Sequence, residues 1–317
     1  MGKRIGISVG IIAVLLLYVI IANIRRSPDV PDLSLPDGAI DEILVTRSLG
    51  TIRIFKKDGK WVVTDEAFPA DAKIIGELEK RFREIRLSDL ISSKGYYARY
   101  DLTPDKYTEV IFKKGDKAIQ DFKIGKKSST SQHTFVKIDN RPEIYLAEGT
   151  FDIVINRTQD DFRDREVLKI SPAAVSGFTV NYLGREFVFS KEAAPKQDTE
   201  GKKKAGEAAP KPGSERWVCR AFPDVVLDTA RVNSLLQGID PLRATSFPDI
   251  KKEVLPQRLC MLQIKAYQKE IILTLFKKGE QYIATTSENP YVYGVDKWSV
   301  EKYLLTGLDT LKSGAGN

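Results

Sequence analysis

The sequence predicts an α+β protein, in which an N-terminal transmembrane helix is followed by two tandem units that each combine an antiparallel sheet with one main helix. Three observations support this prediction. The chain has a long uncharged run near its start, and the remainder repeats one order of strand and helix patterns. In each copy, an aspartate is followed by apolar residues at helical spacing. Sheets and helices that each have one apolar side bury those sides against each other.

The uncharged run Ile5–Ile24 has the length of about twenty residues that one helix needs to cross a bilayer. A cleaved signal peptide would have a shorter apolar centre and a small-x-small cleavage site, and the end of the run around Ala22 has no such site. A buried helix of a soluble core is a further alternative, although such helices rarely lack charge over this length. We expect an uncleaved anchor.

The charges that flank the run set its expected orientation. Two basic residues precede it and two follow it, so the positive-inside rule is nearly balanced. Because a very short basic head usually stays in the cytoplasm, we expect the body to be exported to the periplasmic side of a bacterial inner membrane. The predicted segments are a cytoplasmic head (1–4), a transmembrane anchor (5–24) and a spacer (25–38) that is stiffened by prolines.

The body contains the same order of elements twice, which predicts a first repeat unit over 39–170, a second over 171–312 and a tail over 313–317. Each copy opens with two alternating runs joined through glycine, the pattern of a β-hairpin. Further strands follow in both copies. The predicted strands are 42–47, 51–55, 61–63, 108–112, 117–124, 134–138 and 143–146 in the first copy, and 178–182, 185–189, 217–219, 260–264, 271–276, 281–284 and 291–293 in the second.

One helix is predicted after the tryptophan strand of each copy. Asp71 and Asp228 stand at the N-cap position before apolar residues at helical spacing. The apolar stripes are Ile74, Ile75, Leu78, Phe82 and Ile85 in the first copy and Val232, Leu235, Leu236 and Ile239 in the second. We expect both stripes to cover one face of a sheet, and short helical stretches (150–155 and 296–304) to close the units.

An insertion distinguishes the second copy. Residues 191–215 are rich in Ala, Pro, Lys and Glu and lack aromatic residues before Trp217, so they cannot bury enough apolar surface to become ordered. The equivalent position in the first copy is the tight turn of Asp58 and Gly59. A hairpin tip tolerates such an insertion because loop length costs little entropy. We predict a disordered insert at this tip.

The composition limits the classes of function. Hydrophobic residues make up 42% and charged residues 29% of the chain, which excludes wholesale disorder. The net charge of +7 is spread along the sequence, whereas nucleic-acid binders concentrate Lys and Arg on one face. We expect no nucleic-acid partner. Cys219 and Cys260 belong to no metal-binding pattern, and either a disulfide or two buried free thiols is compatible with the sequence.

No catalytic constellation is evident. His133 is the only histidine, and a triad with Ser131 and Asp139 would lack the G-x-S-x-G nucleophile elbow. Acidic residues crowd at Asp160, Asp161, Asp164 and Glu166, but the interleaved arginines favour a self-paired surface over a cation site. The run Gly125–Ser129 lacks the upstream glycine of a phosphate loop. The sequence therefore predicts no catalytic, cofactor-binding or metal residue, and a protein that is not an enzyme.

Several short motifs resemble one bacterial family, the domain of unknown function 4340. They are the anchor, Lys60–Val63, Pro69–Ala72, Tyr100–Pro104, Ile124–Ser128 and Phe162–Arg165. Asp101 stands where the family usually has glycine, and the long charged insert is atypical. The resemblance implies an anchored, repeat-containing envelope protein, often encoded beside gliding-motility-type ABC transporter components. It implies no functional residue.

These observations lead to one leading hypothesis and two alternatives. The leading hypothesis is a membrane-anchored, exported interaction or scaffold module, an accessory subunit of an envelope complex such as an ABC-type transporter, with membrane-protein partners. One alternative is an envelope hydrolase that uses His133 or the Asp160–Glu166 region. The other is a protein that binds polyanions or lipid surfaces through its positive balance.

Overall fold

A computed structural model of the chain describes residues 12, 14–18, 30, 31, 33, 35, 40–182, 184–193, 215–221 and 227–305. These residues form two compact units that divide after Asp164. Each unit is one large antiparallel sheet with few helices. The two antiparallel sheets are therefore confirmed, in a fold of the α+β or mainly β class.

The first unit contains a nine-stranded sheet in the order β4-β3-β2-β1-β6-β7-β8-β9-β5. Its strands are β1 (Glu42–Arg47), β2 (Gly50–Lys57), β3 (Lys60–Val63), β4 (Phe68–Pro69), β5 (Leu87–Ser92), β6 (Thr108–Lys114), β7 (Lys117–Lys127), β8 (His133–Ile138) and β9 (Ile144–Glu148). Its helices are α1 (Ala72–Arg83), α2 (Asp152–Ile155), α3 (Gln159–Phe162) and a 3-10 helix (Tyr97–Tyr100).

The second unit contains another nine-stranded sheet, in the order β10-β14-β18-β17-β16-β15-β11-β12-β13. Its strands are β10 (Glu166–Leu168), β11 (Val175–Tyr182), β12 (Arg185–Ala193), β13 (Glu215–Cys219), β14 (Leu242–Ser246), β15 (Arg258–Ala266), β16 (Lys269–Lys278), β17 (Gln281–Thr286) and β18 (Val292–Val295). Its helices are α4 (Thr229–Gly238), α5 (Lys297–Ser299), a π-helical turn (Val300–Leu305) and 3-10 helices at Pro172–Ala174 and Lys252–Val254.

The two sheets have the same topology. Trp61 lies in β3 and Trp217 in β13. Read from these two strands, the order in the first unit is β3-β2-β1-β6-β7-β8-β9-β5, and it matches the order β13-β12-β11-β15-β16-β17-β18-β14 in the second. The strand registers align Trp61 with Trp217, because Trp61 pairs with Lys56 and Trp217 pairs with Lys191. Each lysine lies over its tryptophan ring, at 4.8 Å in the first unit and 5.3 Å in the second. The duplication therefore extends from element order to individual contacts.

The main helices begin and pack as their patterns predict. Asp71 accepts hydrogen bonds from the backbone N–H groups of residues 73 and 74, and Asp228 does the same for residues 230 and 231. These bonds satisfy N–H groups that the first turn of a helix leaves without partners. In the first unit Phe82 packs 5.0 Å from Phe122 and 5.3 Å from Phe112, ring centre to ring centre. α1 thus covers the inner face of its sheet, and α4 likewise buries Val232, Leu235 and Leu236 of its predicted stripe.

Four strands were not predicted: β4, β5, β10 and β14. β5 and β14 follow the main helices, which cross the inner face to the far edge of each sheet. β5 is an edge strand in which no residue is buried, so it lacks a clean apolar alternation. The second unit begins at Arg165, six residues before the predicted start at 171, because β10 pairs with β14 of that unit.

The hairpin at the insert is longer than predicted. Lys191 pairs with Trp217, Glu192 with Arg216 and Ala193 with Glu215, so both ends of the predicted insert 191–215 continue the ladder of β12 and β13. The remainder of this insert lies outside the described residues.

Most of the predicted anchor also lies outside the described residues. Ile12 and residues 14–18 are helical, and their side chains are 56–69% exposed. Within the described part of the chain, no helix combines the length and apolar character that a membrane span requires. In the predicted spacer, Leu35 is buried and joins the core of the first unit, so the chain already packs on that unit there.

Candidate functional site

The connection from β5 to β6 in the first unit forms the most distinctive surface of the described chain. β5 lies at one edge of the sheet and β6 near its middle, so residues 93–107, which we call the tyrosine crossover, must pass over several strands. Since α1 occupies the inner face, the crossover lies on the outer face. Tyr100 packs there on Phe135, with 4.6 Å between ring centres.

Unusual backbone conformations shape the tyrosine crossover. Tyr96 and Asp101, which flank the 3-10 helix, both have a positive φ, 71° and 54°. A non-glycine residue seldom adopts this conformation, and when the surrounding structure holds it there, the residue often has a functional role. A glycine at the position of Asp101 would adopt this conformation without steric cost.

Two family motifs meet beneath the tyrosine crossover. A Cβ added at Gly125 would collide with the carbonyl oxygen of Tyr100 and would lie 2.9 Å from Cγ of Leu102, which is buried. Glycine at position 125 is therefore what lets the turn after Tyr100 lie directly on β7. This contact brings the Tyr100–Pro104 and Ile124–Ser128 motifs together on the outer face of the sheet.

The surface of the tyrosine crossover is a shallow pocket of about 530 Å³, lined by residues 96–100 and Thr103. Tyr96 is 75% exposed at its rim. Tyr97 donates a hydrogen bond to the carbonyl oxygen of Pro142 at 3.1 Å, and the ammonium group of Lys137 lies 4.3 Å from its ring centre. We call Tyr96, Tyr97, Arg99 and Tyr100 the tyrosine surface.

An ion network continues from the pocket along the outer face. Lys123 bonds to Glu109 at 2.9 Å and to Asp121 at 2.5 Å. Burial alone would lower the pKa of Lys123, but the bonds from the two carboxylates outweigh it and raise that pKa. Burial raises the pKa of Asp121. Lys123 is thus held charged at neutral pH beneath the crossover.

The outer face of the second unit has a different character. On this face, the strand registers align seven charged residues of the first sheet with seven residues of the second sheet. Six of these seven residues of the second sheet are uncharged, and the exception is Lys265, which aligns with Lys113. The aligned sets are Glu42, Arg53, Glu109, Lys113, Asp121, Lys123 and Lys137 in the first unit, and Gly177, Val188, Met261, Lys265, Ile272, Thr274 and Thr285 in the second. The repeats share a fold but present different surfaces.

The residues considered for catalysis do not converge. His133 begins β8 and Asp139 follows its other end, a separation of roughly 20 Å along a strand. Asp139 instead accepts hydrogen bonds from the backbone N–H of Asp121 and the side chain of Gln120. Ser131 lies in the turn before β8 with a φ of 57°.

The acidic cluster is used for local structure. Asp161 closes a capping box with Thr158 at the start of α3, and Asp160 pairs with Arg163 at 3.1 Å. The N–H of Asp164 donates to the carbonyl oxygen of Pro69. In the described part of the chain, no three His, Cys, Asp or Glu side chains are grouped as a metal site requires.

Both cysteines are buried. β13 and β15, which carry Cys219 and Cys260, are separated by β12 and β11, so the two residues lie at least about 14 Å apart at the usual strand spacing. A disulfide needs Cα atoms within about 7 Å. Burial raises the pKa of Cys260 to about 12. The disulfide alternative is therefore excluded in this fold.

Sequence reasoning identified Tyr100 only as part of a family motif and did not single out Tyr96, Tyr97 or Arg99. The feature of the sequence that could have indicated this site is the high proportion of tyrosines in Tyr96–Tyr100, directly after Gly95. Aromatic residues occur equally in cores, and only the path of the crossover over the outer face shows that Tyr96 is exposed and that Tyr97 and Tyr100 are half-buried.

The fold and this surface define a two-unit, sheet-rich protein with a tyrosine-lined surface pocket. The chain belongs to the family described as domain of unknown function (DUF4340), whose model matches residues 61–258. The resemblance noted in the motifs is thereby confirmed. Comparison with curated proteins and with solved structures gave no match.

Proposed function

We propose that this protein is a membrane-anchored, exported interaction module that serves as an accessory subunit of an envelope complex such as an ABC-type transporter, and that it contacts its partner through the tyrosine surface. The observation that carries this proposal is the exposed Tyr96, held at the rim of an open pocket on the outer face of the sheet. Tyrosine and arginine are the residues that most often dominate binding energy at protein interfaces.

The geometry suits binding because little order has to be gained when a partner arrives. Tyr97 and Tyr100 are already held by Pro142 and Phe135. Side chains held in place before association lose less conformational entropy on binding. Tyr96 adds a large amphipathic ring that has only two side-chain torsions to fix.

The anchor and the transporter association rest on the sequence. The uncharged run Ile5–Ile24 supports a single-pass anchor in the bacterial inner membrane, and the short basic head before it supports an exported body. The family resemblance supports transporter components as partners. A compartment-sensitive reporter fused after Asn317 tests the orientation, and activity on the cytoplasmic side would refute export.

Affinity purification of the full-length protein from solubilised membranes tests the interaction. We expect the wild type to retain defined transporter subunits, and the Tyr96→Ala variant to retain at least about tenfold less, the equivalent of about 1.4 kcal/mol. Tyr267→Ala is the matched control, because Tyr267 is also an exposed tyrosine with a positive φ, 62% exposed at 51° in the turn between β15 and β16.

Two outcomes would refute the proposal, and a third would refute only its transporter assignment. The first is recovery of the chain alone in several mild detergents. The second is equal recovery of partners by the two alanine variants. The third is a set of partners that contains neither a permease nor an ATPase, which would refute the transporter assignment alone.

A further inference from the structure

Two apolar side chains protrude at one end of the first sheet. The strand registers bring the β1–β2 turn, the start of β6, the β7–β8 turn and the end of β9 to this end. Leu49, in the β1–β2 turn, is 98% exposed. Ile153, the second residue of the helix that follows β9, is 78% exposed, although the next two residues of that helix are buried.

Basic side chains surround these two apolar ones. Arg47 donates a hydrogen bond to the carbonyl oxygen of Arg157 at 2.5 Å, and Arg157 donates to the carbonyl oxygen of Ile153 at 2.9 Å. These bonds connect the β1–β2 turn to α2, so Leu49 and Ile153 belong to one surface. Lys126 is exposed near the end of β7, at the same end of the sheet. We call Arg47, Leu49, Lys126, Ile153 and Arg157 the tip patch.

The tip patch has positive charge to offer a ligand. Arg157 pairs with Glu77 at 2.9 Å, so its charge is partly neutralised. In the described part of the chain, Arg47 and Lys126 form no ion pair. Their charges can therefore act on an anionic ligand that approaches this end of the sheet.

The second unit has the same combination at its equivalent helix. α5 follows β18 as α2 follows β9, and its second residue, Trp298, is 59% exposed. The ammonium group of Lys302 lies 4.3 Å from the ring centre of Trp298. Single exposed apolar residues are ordinary on protein surfaces. An exposed apolar residue at the same position of both repeats, each time beside a basic residue, is a repeated feature of the fold.

The shape and charge of the tip patch favour a lipid surface over a protein partner. The residues that dominate protein interfaces lie in well-packed pockets, whereas Leu49 protrudes from a turn with almost its whole side chain exposed. A bilayer accommodates protruding apolar side chains at the boundary of its headgroups and acyl chains. Its anionic headgroups attract Lys and Arg side chains close to the surface.

The predicted tether is long enough for this contact. Leu35 and Ile40 are buried in the first unit just before β1, at the opposite end of that strand from Leu49. β1 is about 20 Å long at the usual rise per residue. The chain between Ile24, the last residue of the predicted anchor, and Leu35 can span up to roughly 36 Å. This reach exceeds the length of β1, so the unit can bring its far end to the bilayer.

We propose that the tip patch is a membrane-contact site. Leu49 and Ile153 enter the boundary between headgroups and acyl chains of a bilayer that contains anionic lipid, and the basic residues of the tip patch bind the lipid phosphates. The inference goes beyond the proposed interaction module because it requires no partner protein. It gives the first unit a fixed contact with the membrane in addition to the anchor.

Fluorescence quenching in bilayers made only of lipid tests the inference. Leu49→Cys and Ile153→Cys are labelled with an environment-sensitive fluorophore in the folded full-length protein, in which the native Cys219 and Cys260 are buried. The protein is transferred into bilayers of phosphatidylcholine and phosphatidylglycerol in equal parts, with or without a nitroxide quencher near the top of the acyl chains. We expect the quencher to remove at least about half of the emission at both positions, because apolar side chains in the interface reach that depth.

Two further labels supply the controls. Asp116→Cys is the matched control, because Asp116 is exposed in the β6–β7 turn at the opposite end of the same sheet, and its label should not be quenched. Ser129→Cys places the label in the exposed β7–β8 turn, beside the tip patch and not within it. This label should be quenched with Leu49 and Ile153 present and should lose that quenching in the Leu49→Asp, Ile153→Asp protein. All of these positions are exposed, so the changes leave the core intact.

Three results would overturn the inference. The first is absence of quenching at both tip-patch labels, and the second is equal quenching of the label at Asp116→Cys. The third is a label that is shielded from water but not quenched, which would show that a second copy or another protein segment covers the patch. Quenching that is unchanged in phosphatidylcholine alone would overturn the role of the basic residues. These bilayers contain no partner protein, so failure here is distinguishable from failure of the co-purification experiment.

Discussion

Replacing Gly125 with alanine tests whether the tyrosine crossover is built on a close backbone approach. The added Cβ would collide with the carbonyl oxygen of Tyr100 and lie 2.9 Å from the buried Leu102. Neither neighbour is the free end of a flexible side chain, so the backbone of the crossover must shift. Overpacking of this kind costs about 1–3 kcal/mol.

Gly76→Ala is the matched control. Gly76 lies on the exposed side of α1, and nothing lies within 4 Å of the position its Cβ would take. Alanine is favoured over glycine within a helix by about 1 kcal/mol, so this variant should be more stable than the wild type. Replacement of glycine by alanine is thus expected to lower the stability at position 125 and to raise it at position 76.

Denaturant unfolding of the full-length protein in detergent, followed by pulsed hydrogen exchange, measures the stability of the first unit separately from that of the second. We expect Gly125→Ala to lower the free energy of unfolding of the first unit by about 2 kcal/mol. This corresponds to a fall in melting temperature of about 4–8 °C for a unit of this size. Wild-type stability in Gly125→Ala, beside a stabilised Gly76→Ala, would refute the close approach.

Two further predictions concern buried groups. Burial opposes the charge of Glu42, but the bonds that it accepts from Lys113 and Arg53, both at 2.5 Å, outweigh this effect and lower its pKa from the ordinary value of 4.5. A lowered pKa in the folded state stabilises the protein above pH 4.5, and this contribution is lost as the pH falls through the folded-state value. Glu42→Gln should therefore lower the free energy of unfolding by about 2 kcal/mol at pH 7 and make it depend less on pH in the acid range. A plot of unfolding free energy against pH that runs parallel to that of the wild type would contradict this prediction. Cys219 and Cys260 should react with alkylating reagents only after unfolding, and reducing agents should leave the melting temperature unchanged; a lower melting temperature under reducing conditions would indicate a disulfide.

Much of the fold was predictable because it depends on local periodicity. The hairpin strands alternate apolar and polar residues, and the aspartates that precede α1 and α4 mark where those helices begin. These signals act over a few residues and are repeated in both copies. The duplication could therefore be recognised without knowledge of any long-range contact.

The edge strands could not be predicted, because their partners are distant in the sequence. β5 pairs with β9 across more than fifty residues, and its pattern is too exposed to alternate clearly. The candidate site was missed for a related reason. Tyr96 and Tyr97 look like core aromatics until the crossover is placed on the outer face of the sheet.

The sequence by itself determined the doubled order of strands and helices and the starts of the main helices, since apolar periodicity and capping are local properties of the chain. The tertiary structure alone decided which side chains meet and which tyrosines face solvent. Sheet register joins residues that no local pattern connects, and burial follows from that register.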